Sequence, residues 1–582
     1  MFVQRFRKFA VPILFFVFTA AFMLNLHVDI YAGLDVAMYA RMAEAFARGE
    51  KVNGTDTAFE PVPDEVRPLL LYRDGGRLTR DGVFEIDLKT CDTKPFFIPT
   101  LPVFVALAGK AGIGLRWFMP LLGVVWLCVA ATLRVAGDPQ GRRYTYIILF
   151  FATAWPVWFL RGFNPEAAGA LCLGIAIMLK FGGEKKSVLR DYYIGLLLGL
   201  AVSLHLSLCV IALPVALCAI LRDGDRRRTL ALALGGGVGT LPLLLITKYV
   251  CQPYGDFFDR EILQSMWQHP VLRATLFAAG IAAFACFTVV ALAHNARIRN
   301  WFANYFKKKN TCAKLRICVA LAVLAAASYF VGWNLRGGAV QTFSGAGWGF
   351  AAFAAVAFVF VWDGQRRMSD KVLLVLLCAV SLVFVYINGE EVNTRTMWSQ
   401  RRIAPVVICL VSLLATTGFK LQRDRILLAS AGVFALVNFW FTWPAFTVSD
   451  GRGGEEVYAG MERVISAAGE NALVVFDYFP HSFPHQRRGR DVFGINEHVV
   501  KRGGHAPVLE WMAGEAENGR VVLYVSSHEK PALPEGVDLN LVEIGANNGA
   551  CEILRGKSFK GAVKTTREIR QKIYILLPNP ET

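Results

Sequence analysis

Long apolar runs separated by short polar connections occupy most of the chain as far as residue 444. They fall near 9–26, 117–134, 144–161, 165–182, 192–205, 207–221, 229–249, 272–294, 316–333, 346–362, 372–388, 403–419 and 427–444, about thirteen in all. A helix needs roughly 20 apolar residues to cross a bilayer, so the shorter runs cross only with a thin membrane or a packing partner. The pattern predicts a polytopic α-helical membrane protein. Two stretches depart from it. Phe96 to Ile113 is apolar but holds Pro99 and Pro102, with Pro95 just before, which predicts a broken helix at the surface. Tyr192 to Leu221 is too long for one span and short for two, with His205 and Ser207 at its middle. It predicts two helices meeting at a polar break, which lipid tolerates only where backbone lines a cavity. Beyond the first run, Arg41 to Glu50 sets Ala, Met and Phe against Arg and Glu, the pattern of an amphipathic helix along the membrane surface.

After Thr447 the pattern changes. Gly451, Gly453 and Gly454 predict a joint, followed by strands at Ala472–Phe476, Val521–Ser526, Leu539–Ile544, Cys551–Leu554 and Ile573–Leu577. Helices are expected at Glu455–Ala468 and Pro507–Ala516. The chain therefore divides into a transmembrane part, 1–446, with a long first loop at 27–115, and a small α/β domain, 447–582. Gly503 and Gly504 lack the spacing of a phosphate-binding loop and read as a turn.

Composition agrees with lipid exposure: the 582 residues are 55% hydrophobic and 18% charged, with a mean hydropathy of +0.42. The net charge of +17 would suit a nucleic-acid partner, but its distribution does not. The cations cluster between apolar runs: Arg5/Arg7/Lys8, Arg134/Arg142/Arg143, Lys185/Lys186, Arg222 with Arg226–Arg228, Lys307–Lys309, Arg366/Arg367, and Lys420 with Arg423/Arg425. They recur at every second connection, as the positive-inside rule requires, and nucleic acid is excluded as a partner. This places the N-terminus in the cytoplasm. The loops near 27–115, 250–271, 334–345 and 389–402, and the α/β domain, lie outside. The run from Phe9 to Leu26 is long enough to stay as an uncleaved anchor. Most of the 12 cysteines sit within apolar runs as small core residues, without metal-ligand spacing.

The outer connections hold more polar chemistry than their length requires. Asp35 and Tyr39 follow the first run, and Lys94 ends the first loop in Lys94-Pro95-Phe96-Phe97. Arg161 and Glu166 flank Asn164-Pro165, His205 marks the break, and Arg401 and Arg402 open a late run. Cations around one or two carboxylates can hold a phosphate-linked donor while a base deprotonates an acceptor. Each residue also has a plainer role: Asp35 as a helix cap, Glu166 as a first-turn acid, His205 as a bonded core residue, and Lys94 and the arginines as side chains snorkelling to headgroups. His481 and His485, in a proline-rich loop, lack the further ligands of a metal site.

Together these residues resemble the GT-C superfamily of integral-membrane glycosyltransferases, above all its bacterial branch of lipid A aminoarabinose transferases and protein O-mannosyltransferase relatives. Asp35, Tyr39 and the helix ending at Gly49 are similar to that family's first outer loop. Lys94-Pro95-Phe96-Phe97 resembles its Lys-Pro-Pro-Leu stretch without the second proline. Glu166 matches a second acid at the start of a span. Gly195 to Ala201 is similar to a span preceding a basic residue, where His205 stands here. Arg401, four positions before Pro405, resembles an Arg-Tyr-x-x-Pro opening, with Arg402 in place of the tyrosine. Val36 stands where a second acid often follows the aspartate, so a divalent metal at that pair has no motif behind it.

The resemblance implies sugar transfer from a polyprenyl-phosphate donor to a hydroxyl on a lipid, glycan or protein. The site would lie at the outer face of a bacterial inner (cytoplasmic) membrane, among membrane lipids. Asp35 would be the catalytic general base and Glu166 a positioning or secondary catalytic acid, with Tyr39, Lys94, Arg161, His205, Arg401 and Arg402 on the substrates. A lipid or oligosaccharide flippase is the alternative from another class, and would show paired broken helices and mid-membrane charges. An O-antigen-ligase-like enzyme is the other, with its long loop late in the chain.

Overall fold

The computed structural model describes residues 34–49, 54–74, 77–80, 84–95, 99–132, 164–182, 187–223, 225–249, 373, 377, 405, 408–409, 412–413, 416, 454–469, 471–477, 491–495, 506–527, 539–555 and 563–578. The segment that follows the first apolar run opens with helix α1 (Leu34–Arg48). It begins earlier than the expected Arg41 because Leu, Ala, Met, Glu and Arg, all good helix formers, fill it and no breaker interrupts it. Gly49, at φ 74°, ends it. Tyr39, Ala40, Met42, Ala43 and Ala45 are buried, and α1 packs along helix α2 (Thr100–Lys110). At 1.5 Å per residue α2 is about 16 Å long, too short for a hydrocarbon core of roughly 30 Å.

Between these helices lies a small antiparallel sheet that periodicity did not announce. Its strands are β1 (Gly54–Thr55), β2 (Tyr72–Asp74), β3 (Arg77–Arg80), β4 (Phe84–Ile86) and β5 (Asp92–Pro95), in the order β1-β5-β4-β3-β2. Strands of two to four residues leave no alternation to read.

Helices α3 (Leu115–Thr132), α4 (Pro165–Gly182), α5 (Val188–Leu204), α6 (Cys209–Asp223) and α7 (Arg226–Tyr249) pack together as a bundle. Among the described residues two helices are long and apolar enough to cross a membrane: α4, and α7 over Arg226–Ile246. They do so differently. Helix α4 is almost wholly buried, whereas α7 exposes Leu230, Leu234, Val238, Leu241 and Leu245 along one stripe. An exposed apolar stripe of that length marks a surface made for lipid or a partner.

Helices α5 and α7 run parallel, because Tyr192 meets Gly235, Leu196 meets Gly239 and Asp191 meets Arg228 in the same sense along both. Gly195 and Gly199, four residues apart on α5, lie against the backbone of α7 at Leu232, Gly236 and Gly239, while Gly235 and Gly239, four apart on α7, lie against that of α5 at Tyr192, Leu196 and Gly199. A Cβ at Gly195 would overlap the carbonyl oxygen of Leu232, and one at Gly235 that of Tyr192. Small residues at this spacing let backbones approach, and the Ser203 hydroxyl crosses the seam to the Gly239 carbonyl at 2.8 Å. Gly235→Val is expected to separate the pair at a cost above about 3 kcal/mol, since the clash is with backbone rather than a movable side chain. Thermal unfolding of the purified variant is the readout; wild-type heat stability would contradict this packing.

The C-terminal domain carries strands β6 (Leu473–Phe476), β7 (Val492–Gly494), β8 (Val522–Ser526), β9 (Leu539–Arg555) and β10 (Val563–Pro578), in the order β7-β6-β8-β10-β9. Strand β6 is parallel to β7 and β8, and β10 is antiparallel to β8 and β9. Helix α8 (Gly454–Ala467) covers one face through Met461 and Ile465 against Val474 and Phe476. Helix α9 (Ala506–Glu517) covers the other through Val508, Leu509 and Met512.

The strands expected at Leu539–Ile544 and Cys551–Leu554 are one strand. The Gly545-Ala-Asn-Asn-Gly549 stretch between them reads as a turn by composition but stays in the ladder opposite β10. Its small residues admit α8. A Cβ at Gly549 would overlap Val457, and the Asn547 amide donates to the Val457 carbonyl at 2.9 Å and to Gln571 Oε1 at 2.8 Å.

The α9 face of this sheet is completed by residues between 58 and 91 of the segment joining α1 and α2. Ala58, Phe59, Val62, Val66, Leu70, Leu71, Ile86 and Cys91 form one core with Leu473, Val475, Phe493, Val508, Met512 and Tyr524. Phe59 meets Phe493 edge to face at 5.0 Å between ring centroids, and Phe493 meets Trp511 at 5.8 Å. Residues some four hundred positions apart in the chain share one interior.

Candidate functional site

Helices α4 and α5 form an antiparallel hairpin whose two ends carry different chemistry. Pro165 begins α4 with its fixed φ, and Glu166 follows as a first-turn acid beside the positive end of the dipole. Helix α5 ends at Leu204, where His205 turns to extended backbone at φ −153° and ψ 116°. A 3-10 turn, Leu206–Leu208, then leads into α6, so the chain breaks at His205 and reverses. The turn closes with the Leu208 N–H donating to the His205 carbonyl at 3.0 Å. Gly169 admits Leu208, since a Cβ there would overlap the leucine side chain.

This geometry brings two sequence candidates together. His205 Nε2 lies 3.7 Å from Glu166 Oε1, and His205 Nδ1 lies 2.7 Å from the Ser207 hydroxyl. Glu166 is buried, while the imidazole is 31% exposed. At 3.7 Å the contact is electrostatic rather than a formed hydrogen bond. A histidine with one ring nitrogen on a hydroxyl and the other toward a carboxylate is fixed in orientation. The arrangement can orient a carboxylate, or relay a proton between it and the Ser207 hydroxyl through the two ring nitrogens.

The opposite end of the hairpin holds a cluster that motif reading passed over. Asp191, in the first turn of α5, is fully buried between two cations: Lys180 Nζ reaches its Oδ1 at 2.5 Å, and Arg228 Nε bonds its Oδ2. Arg190 donates to the Leu179 and Lys180 carbonyls. Arg222 donates to the Phe181 carbonyl at 3.4 Å and stacks over the Phe181 ring at 5.2 Å. These cations sit at the negative end of α4, where they satisfy its last carbonyls. Ionisable residues at the ends of apolar runs were the available signal, but nothing in spacing alone joins Lys180, Asp191 and Arg228.

Asp35 lies within α1 rather than ahead of it as a cap, with Tyr39 one turn further on and buried. Lys94 is part of strand β5, not a free loop, and stands opposite Glu85 in the ladder. Helix α2 follows β5 and touches α5 and α7 as well as α1, so the segment bearing Asp35 and Lys94 joins the bundle through it. Arg161, Arg401 and Arg402 lie outside the described residues, as do His481 and His485. Ser412, further along the chain than Arg401, packs against α3 and α4. The Trp126 indole donates to the Ser412 hydroxyl at 3.1 Å, which donates to the Ile408 carbonyl at 2.7 Å, with Gly174 leaving room for both side chains. Among the described residues no three His, Cys, Asp or Glu side chains gather as a metal ion requires.

Compared with family models, curated proteins and solved structures, the chain finds no match.

Proposed function

We propose that the chain is a membrane glycosyltransferase that moves a sugar from a polyprenyl-phosphate donor to an acceptor hydroxyl at the outer membrane face. The observation that carries this reading is the meeting of Glu166 and His205 at one end of the α4–α5 hairpin, on the side where α5 breaks and reverses. The cation-rich end, with Lys180, Arg222 and Arg228, lies at the opposite end. With that end in the cytoplasm by the positive-inside rule, Glu166 and His205 face outward. The exposed apolar stripe of α7 supports lipid around the bundle. Multiple spans beyond the two described helices belong to this proposal.

In the reaction the bond from the sugar's anomeric carbon to the phosphate oxygen breaks, and a bond to the acceptor oxygen forms. The acceptor's proton passes to a carboxylate, for which Asp35 is the proposed base. The polyprenyl phosphate leaves with the bonding electron pair, and its charge is held by Lys94 with Arg161, Arg401 and Arg402. Glu166, oriented by His205, faces the sugar, with Tyr39 of α1 on the substrate side. Acceptor hydroxyls on a lipid, glycan or protein all fit this chemistry.

Binding of the product alone tests the phosphate side. Lys94→Ala is expected to weaken affinity for polyprenyl phosphate by about ten- to a hundred-fold, the worth of one charge-assisted hydrogen bond of roughly 1.5–3 kcal/mol. Titration of purified protein with polyprenyl phosphate, using the uncharged polyprenol as the control, provides the measurement. Equal affinities in parent and variant would remove Lys94 from the site and return it to pairing across the ladder with Glu85.

A further inference from the structure

The strand that bears Lys94 is tied to the C-terminal domain by a short and continuous path. Strand β5 pairs with β1, Gly54 opposite Thr93 and Thr55 opposite Asp92. The Thr55 hydroxyl donates to Asp92 Oδ1 at 2.8 Å, and the Thr93 hydroxyl donates to the Gly54 carbonyl at 3.1 Å. Asp56, next in the chain, donates its N–H to the Cys91 carbonyl at 2.9 Å and takes the Ala58 N–H on its carboxylate at 3.1 Å. The turn so formed points Phe59 into the core, against Phe493 of β7. Both rings are buried.

We propose that the C-terminal domain is a positioning element for the first outer segment: Phe493, acting through Phe59 and the β1–β5 ladder, sets where Lys94 stands. This rests on the reading of Lys94 as a phosphate contact. The physical reason is that a sheet of two- to four-residue strands has little stability of its own. Its apolar residues are buried chiefly by the other domain, so the loop is ordered only while that domain is docked. A second consequence concerns topology. Phe59 and Phe493 share one core, so they lie on one side of any membrane, and the chain crosses an even number of times between them. The twelve apolar runs from 117 to 444 meet that condition. Phe96–Ile113 as an additional span would not.

Cys91 is a native reporter of this docking. It is 1% exposed within the shared core, and burial pushes its thiol pKa up, so both access and thiolate fraction are low. In the full-length protein, maleimide modification at Cys91, read by mass spectrometry, is expected to be slow. Phe59→Ala and Phe493→Ala should each speed it by about tenfold or more, the sign of a local opening made easier by at least 1.4 kcal/mol. Both should also weaken polyprenyl phosphate binding by about tenfold, whereas Phe493→Leu, which refills most of the volume, keeps both values near wild type. Phe59→Ala guards against collapse of the α/β domain, since Phe59 is not part of its strands. Faster labelling with unchanged phosphate affinity would overturn the positioning role, and unchanged labelling would overturn the docking itself. Wild-type protein that binds no polyprenyl phosphate would instead remove the transferase reading, while Cys91 labelling still decides whether the domain holds the loop.

Discussion

Asp35→Asn is expected to lower the rate of sugar transfer by about 10²–10⁴-fold, the usual loss when a general base is removed. An amide occupies the same volume but cannot accept the acceptor's proton. Because Asp35 takes no part in holding the phosphate, affinity for polyprenyl phosphate should stay within a few-fold of the parent. Single-turnover transfer with bound donor separates the two quantities. Near-normal transfer by a folded Asp35→Asn protein would leave the residue only its place near the positive end of α1, worth a fraction of a kcal/mol.

The largest effect on stability is expected at the other end of the bundle. Asp191→Asn would remove the buried carboxylate charge that both Lys180 and Arg228 bond. Breaking a buried pair by removing one partner costs about 3–5 kcal/mol, because the remaining charge stays desolvated. Here the carboxylate serves two cations on two different helices, α4 and α7. Lys180→Met should therefore be much milder, since it leaves a simple Asp191–Arg228 pair and an apolar stem of similar shape. Thermal unfolding in detergent should rank the proteins wild type, Lys180→Met, then Asp191→Asn by a wide margin. Equal losses in the two variants would mean that the triad does not act as one unit.

Local features were legible in the chain and long-range ones were not. His205 stood out because a polar residue inside an apolar stretch must meet a partner or a cavity, and the break of α5 falls there. The C-terminal strands at 473–476 and 522–526 and both flanking helices lie within a residue or two of their expected limits, as strong burial on both faces fixes them. Three things escaped for physical reasons. The first-loop sheet has strands too short for a period. The Gly545–Gly549 stretch has turn-like composition because α8 needs room above it, not because the chain turns. The union of Phe59 with Phe493 is a contact between distant segments, and neither local pattern contains it. At the candidate site the same division holds. Glu166 and His205 were each visible as polar residues at helix ends, but their 3.7 Å approach depends on the hairpin geometry and on Gly169. Arg228 looked like one more cytoplasmic cation, and only packing shows it buried against Asp191.

The central claim is that this protein breaks the bond between sugar and polyprenyl phosphate rather than carrying the lipid across. Full-length protein reconstituted in vesicles with a panel of polyprenyl-phosphate sugars, and with lipid, glycan and peptide acceptors on the face that exposes the C-terminal domain, tests it directly by product analysis. The expected result is free polyprenyl phosphate and an equal amount of glycosylated acceptor on that face, both abolished in Asp35→Asn. Intact polyprenyl-phosphate sugar moved to the opposite leaflet, with no free phosphate formed, would contradict the transferase and establish a flippase in its place.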